Sequence, residues 1–67
     1  MAYSNRTTLA ETIRALRLKM RLTQVQFAAI IGASFTSVNR WENGKATPSP
    51  LAMNVLQRLG NEQGIVL

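Results

Sequence analysis

The tightest constraint on this chain is a three-residue stretch, Gly32-Ala33-Ser34. Glycine ends helices in the left-handed conformation, because it has no Cβ to oppose that backbone. Serine begins them, because its hydroxyl accepts a hydrogen bond from a first-turn N–H that has no partner inside the helix. With one residue between the two signals, one helix must stop and another start almost at once, so the chain turns sharply. The segment before the turn carries its own start signal. Thr23 is an N-cap with Gln26 three residues on, the capping-box spacing, and Leu22 is placed as a hydrophobic staple. Phe27, Ala28 and Ile31 supply its inward face, and Gly32 closes it. After the turn, Phe35 to Asn43 form the next helix, ended by Gly44, with Val38 and Trp41 as the three-apart apolar pair. Phe35, Thr36, Asn39 and Arg40 then face outward. Helices this short are not stable alone and must pack on neighbours.

Those neighbours are readable on both sides. Thr8 and Glu11 make a second capping box, and Leu9, Ile13, Leu16 and Met20 follow at i, i+4, i+7 and i+11 as one apolar stripe. Arg14, Arg17 and Arg21 form a basic stripe beside it, and Arg21-Leu22 closes this first helix. Lys45-Ala46-Thr47-Pro48 reads as a loop. Ser49-Pro50 opens the last helix, with Ser as N-cap and Pro at the first helical position. Ala52, Val55, Leu56 and Leu59 give its stripe, and Gly60 is expected to end it. Residues 1–7 read as a short arm, and the pattern leaves the order of the tail, 61–67, open. The expectation is a single all-α domain over residues 1–67.

Composition removes most kinds of chemistry. The chain of 67 residues has no Cys and no His, so disulfides, the common zinc sites and Ser-His or Cys-His catalysis are excluded. Three scattered carboxylates do not make an oxygen-ligand metal site. No phosphate-binding glycine loop and no clustered carboxylates occur, so neither an enzyme nor a cofactor is expected. Hydrophobic residues make up 46%, too many for a disordered basic tail. The longest wholly apolar run is Phe27 to Ile31, too short to span a bilayer, and residues 1–6 lack the apolar segment of a signal peptide. A cytoplasmic location with no membrane contact is expected. Eight Lys/Arg against three Asp/Glu give a net charge of +5, which favours a polyanionic partner.

Residues 23–44 thus read as a helix-turn-helix pair. In that motif the first helix lies across the phosphate backbone and the second enters the major groove. Gln24, at the start of the crossing helix, can donate its amide hydrogens to a phosphate oxygen, and the first-turn N–H groups can do the same. The same residues carry a resemblance. Leu22-Thr23-Gln24, Phe27-Ala28, Gly32, Ser34, Val38, Arg40-Trp41-Glu42, Gly44-Lys45 and Pro48-Ser49 are similar to the phage-repressor and Cro type of helix-turn-helix domain. The match runs in one register over about residues 9–60. It implies a compact, lambda-repressor-like bundle of four or five helices that binds double-stranded DNA, usually as a two-fold homodimer. Two departures stand out: Ala33 where a larger aliphatic residue is usual, and Phe35 where the recognition helix usually opens on a polar residue.

Arg40 is the strongest base-reading candidate, since a guanidinium can make two hydrogen bonds to guanine; the plain alternative is a phosphate contact or a solvated Arg. Thr36, one turn earlier on the same face, can meet a thymine methyl or a base edge. Phe35 can pack on a thymine methyl, against the alternative that it folds onto the core or meets a protein, and Asn39 can read adenine or be merely solvated. The resemblance puts Gln24 and Asn43 at phosphate-contacting positions, against simple helix-end capping, with Ser34, Lys45 and Thr47 as further contacts to the DNA backbone and solvated loop residues as the alternative for Lys45 and Thr47. It also sets Arg17 opposite Glu42, as a structural ion pair. Arg14, Lys19 and Arg21 read as a solvated basic face, and Arg6 of the arm could reach a phosphate. Trp41 reads as core, because four scattered aromatics make no stacking platform.

The function expected is sequence-specific binding of double-stranded DNA by a transcriptional regulator, a repressor that occupies its operator. The resemblance also covers antitoxins that repress their own operon and targeting modules of larger proteins. A reading of another class is a protein-interaction module without DNA contact, to which an exposed Val25, Ile30 and Phe35 would point.

Overall fold

The computed structural model describes residues 8–67, which form four α-helices: α1 (Leu9–Lys19), α2 (Gln24–Ile31), α3 (Phe35–Glu42) and α4 (Pro50–Gln63). The arm, and with it Arg6, lies outside the described residues. Among the described residues there is no strand, and no helix is long and apolar enough to cross a membrane.

Each helix starts where a side chain takes up an orphan N–H. Thr8 Oγ1 accepts from Glu11 N at 3.1 Å while Glu11 Oε1 accepts from Thr8 N at 3.0 Å. Thr23 and Gln26 repeat this at α2, at 3.1 and 2.9 Å. Ser34 Oγ accepts from Ser37 N at 3.0 Å, and Ser49 Oγ accepts from Ala52 N at 3.2 Å. Gly32 closes α2 at φ 84°, and the N–H groups of both Gly32 and Ala33 donate to the Ala28 carbonyl. A Cβ at Gly32 would be strained by that φ alone, because nothing lies within 4 Å of the position.

The core gathers one stripe from every helix: Ile13 and Leu16, Phe27, Ala28 and Ile31, Val38 and Trp41, and Leu56. α1 and α2 both pack on α3 and on α4. Phe27, Ile13, Leu16, Leu56 and Val38 are fully enclosed, each worth about 1.5–3 kcal/mol of burial. Leu22, the residue before the α2 cap, packs against this cluster as the staple spacing requires.

Three boundaries differ from the sequence reading. Gly60 does not end α4: the helix runs on to Gln63 and is capped by Gly64 at φ 74°. Gly60 is instead a buried contact point, because the chain after Gly64 folds back over it. Ile65 N donates to the Gly60 carbonyl at 2.8 Å, and Ile65 and Leu67 pack against the core. Lys19 Nζ donates to the Gln63 carbonyl, which ties the end of α4 to the end of α1. α3 ends at Glu42 rather than Asn43, which serves as its C-cap, with Gly44 following at φ 71°. α1 ends at Lys19 and is followed by Arg21 at φ 60°, a left-handed residue without glycine's freedom.

Candidate nucleic-acid interface

α2 and α3 are each eight residues long and are joined by Gly32-Ala33-Ser34. The packing of α3 on α2 and on α1 brings five polar side chains into one hydrogen-bond chain. Arg17 Nε donates to Glu42 Oε2 at 2.7 Å and Nη2 donates to Oε1 at 2.9 Å, a two-pronged ion pair between α1 and the end of α3. The remaining Arg17 nitrogen, Nη1, donates to the Leu22 carbonyl at 3.0 Å, at the entry to α2. The hydrogen bond to Glu42 raises the Arg17 pKa above its ordinary value, while burial opposes this, so the guanidinium stays charged. From Glu42 the chain continues outward. Gln24 Nε2 donates to Glu42 Oε1 at 3.1 Å, Asn39 Nδ2 donates to Gln24 Oε1 at 3.2 Å, and Asn43 Nδ2 donates to Asn39 Oδ1 at 3.1 Å. Asn43 Nδ2 also donates to the Asn39 carbonyl at 2.9 Å, a side-chain cap on the end of α3.

This arrangement changes what two of the candidates have free. Asn39 was expected to face outward as an adenine reader, yet it is half-buried against α2 with both ends of its carboxamide engaged. Reading adenine takes both the amide N–H and the carbonyl oxygen. Gln24 is likewise held at both ends, between Glu42 and Asn39. Spacing alone gave no sign of this link, since Gln24 and Asn39 lie 15 positions apart.

A second group surrounds the exit of α3. Arg40 is exposed, and its Nη2 donates to the Lys45 carbonyl at 3.2 Å, while Lys45 N donates to the Arg40 carbonyl at 2.8 Å. Arg40, Thr47, Ser37 and Ser49 line one cleft of about 360 Å³ between α3, the following loop and α4. Ser37 was not singled out from the sequence; its position three residues after the Ser34 cap was the available signal. Ser34 and Ser37 satisfy each other, since Ser34 Oγ donates to Ser37 Oγ at 3.0 Å besides capping its N–H. Phe35 and Thr36 stand apart from both groups, exposed on the first turn of α3.

Charge on the described surface is one-sided. Arg14, Lys19, Arg21, Arg40, Lys45 and Arg58 are exposed, whereas the exposed acids among the described residues are Glu11 and Glu62, and Glu11 is occupied as a cap. The family model described as helix-turn-helix matches residues 13–58, which holds α1 except its first turn, the basic stripe Arg14, Arg17 and Arg21, the whole α2–α3 pair and most of α4. No curated protein and no solved structure matches the chain.

Proposed function

This chain belongs to the helix-turn-helix family of DNA-binding domains, in its phage-repressor and Cro form, and from that premise we propose that it represses transcription by occupying a specific site on double-stranded DNA. The observation that carries the proposal is the pinned geometry of α2 against α3. The Arg17–Glu42–Gln24–Asn39 chain fixes the crossing helix to the recognition helix, so that Phe35, Thr36 and Arg40 enter the major groove together. Asn39 acts mainly by holding that register. Phosphates are met at the two ends of the pair, by the backbone N–H groups of Gln24 and Ser34 on one side and by Lys45 and Thr47 on the other; Asn43, with both amide hydrogens and its backbone N–H on Asn39, caps α3 instead of meeting a phosphate. The exposed Arg and Lys residues add long-range attraction.

Eight residues of α3 extend ~12 Å, enough for one half-site of a few base pairs. Specificity on a genome needs more, and a homodimer reading two half-sites ~34 Å apart supplies it. Mobility shifts on duplex DNA at two salt concentrations test the core of the proposal. Affinity is expected to fall steeply with salt, with a log–log slope of about −0.9 per phosphate contacted. Selection of sites from a random duplex pool is expected to return a two-fold symmetric sequence. Salt-independent binding would overturn the DNA reading, and an asymmetric selected site would overturn the dimer.

A further inference from the structure

We propose that Phe35 reads the 5-methyl group of a pyrimidine, so that the preferred half-site places thymine under the first turn of α3 and accepts 5-methylcytosine in its place. The inference rests on the DNA-binding reading above and specifies its target. It follows from what the front of α3 has left to offer. Ser34 and Ser37 spend their hydroxyls on each other and on the cap. The carboxamides of Gln24 and Asn39 are bonded to each other and to Glu42 and Asn43. Those hydroxyls and carboxamides are thus engaged inside the protein, which leaves the Thr36 hydroxyl as the polar group free on the first turn of α3. What stays free there is the Phe35 side chain, 48% exposed, and the exposed Thr36, which offers a hydroxyl and a methyl; of the two, only the Phe35 ring is wholly apolar.

An exposed phenyl ring at the leading residue of a recognition helix has no donor and no acceptor. It gains free energy only by covering apolar surface. The major-groove edge offers one apolar group that varies with sequence, the C5 methyl of thymine; cytosine presents a donor there, and the purines present acceptors. 5-Methylcytosine carries the same methyl at the same place. The positive excess of the chain attracts the duplex, and the methyl is what the ring then distinguishes.

The experiment starts from duplexes selected out of a random pool by the wild-type chain, followed by fluorescence-anisotropy titrations. In the selected duplex each thymine is replaced singly by uracil, which removes only the methyl, and separately by cytosine or 5-methylcytosine paired with guanine. At one thymine per half-site, uracil is expected to weaken binding roughly fourfold, the worth of one buried methyl. At that position 5-methylcytosine is expected to bind about fourfold tighter than cytosine. Phe35→Ala is expected to bind the thymine and uracil duplexes equally. The uracil arm uses the wild-type chain, so it stands whether or not the variant folds. The inference is overturned if no thymine is distinguished from uracil, or if folded Phe35→Ala keeps the distinction. Failure to bind any duplex at low salt would instead refute the DNA-binding reading on which it rests.

Discussion

Arg17→Met is the perturbation with the largest consequence for both fold and interface. It keeps the aliphatic stem of the side chain and deletes the guanidinium. Three hydrogen bonds go with it, two to Glu42 and one to the Leu22 carbonyl. The main cost lies in what remains. The Glu42 side chain is 4% exposed, and without Arg17 its carboxylate keeps only the Gln24 amide at 3.1 Å. Removing one partner of a buried pair costs about 3–5 kcal/mol. The low end applies here, because Gln24 stays and because the Arg17 side chain, 12% exposed, borders water. A loss of about 3 kcal/mol is a large share of a stability on the order of 3–10 kcal/mol for a chain of this size. With a urea m-value of about 1 kcal/mol/M, the midpoint falls by roughly 3 M. The thermal midpoint falls by roughly 12–24 °C. Adding Glu42→Leu to Arg17→Met is expected to recover most of the loss, since two apolar side chains leave no buried charge. Two results in urea denaturation would refute the reasoning: a single-variant loss below about 1 kcal/mol, the range of an exposed pair, or a double variant no more stable than Arg17→Met.

Three further substitutions separate packing, backbone strain and capping. Gly60→Ala would place a Cβ 2.5 Å from Leu67 Cδ1 and 2.6 Å from the Ile65 carbonyl oxygen, and a backbone oxygen cannot step aside, so it costs about 1–3 kcal/mol in chemical denaturation. A gain in stability, as expected of alanine in an ordinary helix, would show that the tail does not close over Gly60. Arg21→Gly has the opposite sign: it relieves the left-handed φ of 60° and raises stability by roughly 0.5–1 kcal/mol after glycine's own entropic penalty. An unchanged midpoint would deny that strain. Ser34→Ala removes the α3 cap and costs about 1 kcal/mol, read as earlier loss of helical circular dichroism on heating.

The helix starts were legible because capping is local chemistry. Thr8, Thr23, Ser34 and Ser49 each meet an N–H three residues on, so a four-residue window contains the whole interaction. Helix ends are less local. Glycine in the left-handed region closes α2 and α4, but the stretch after α4's stripe holds two glycines, Gly60 and Gly64, and propensity favours stopping at the first. What decides is whether the chain beyond can return over Gly60, and that depends on Ile65 and Leu67 finding the core. Arg21 shows the converse. A bulky residue occupies a glycine-like conformation because α1 and α2, both anchored to α3 and α4, dictate the path between them.

The interface divides along the same line. Position on the recognition helix follows from period alone, so Phe35, Thr36 and Arg40 are found outward by counting from Val38 and Trp41. Availability does not follow from period. Asn39 sits where an adenine-reading amide would sit, and only the approach of Gln24 from α2 decides that both its ends are taken. An amide accepts a partner at either end, and a chain rich in Asn and Gln offers many pairings of equal local merit. The one realised here is selected by the Arg17–Glu42 ion pair, whose carboxylate orients Gln24 so that its oxygen faces Asn39. The ion pair therefore does more than join α1 to α3. By fixing which amides are consumed, it settles which side chains at the front of α3 are left free, and in the proposed reading it is Phe35 and Thr36 that meet the bases.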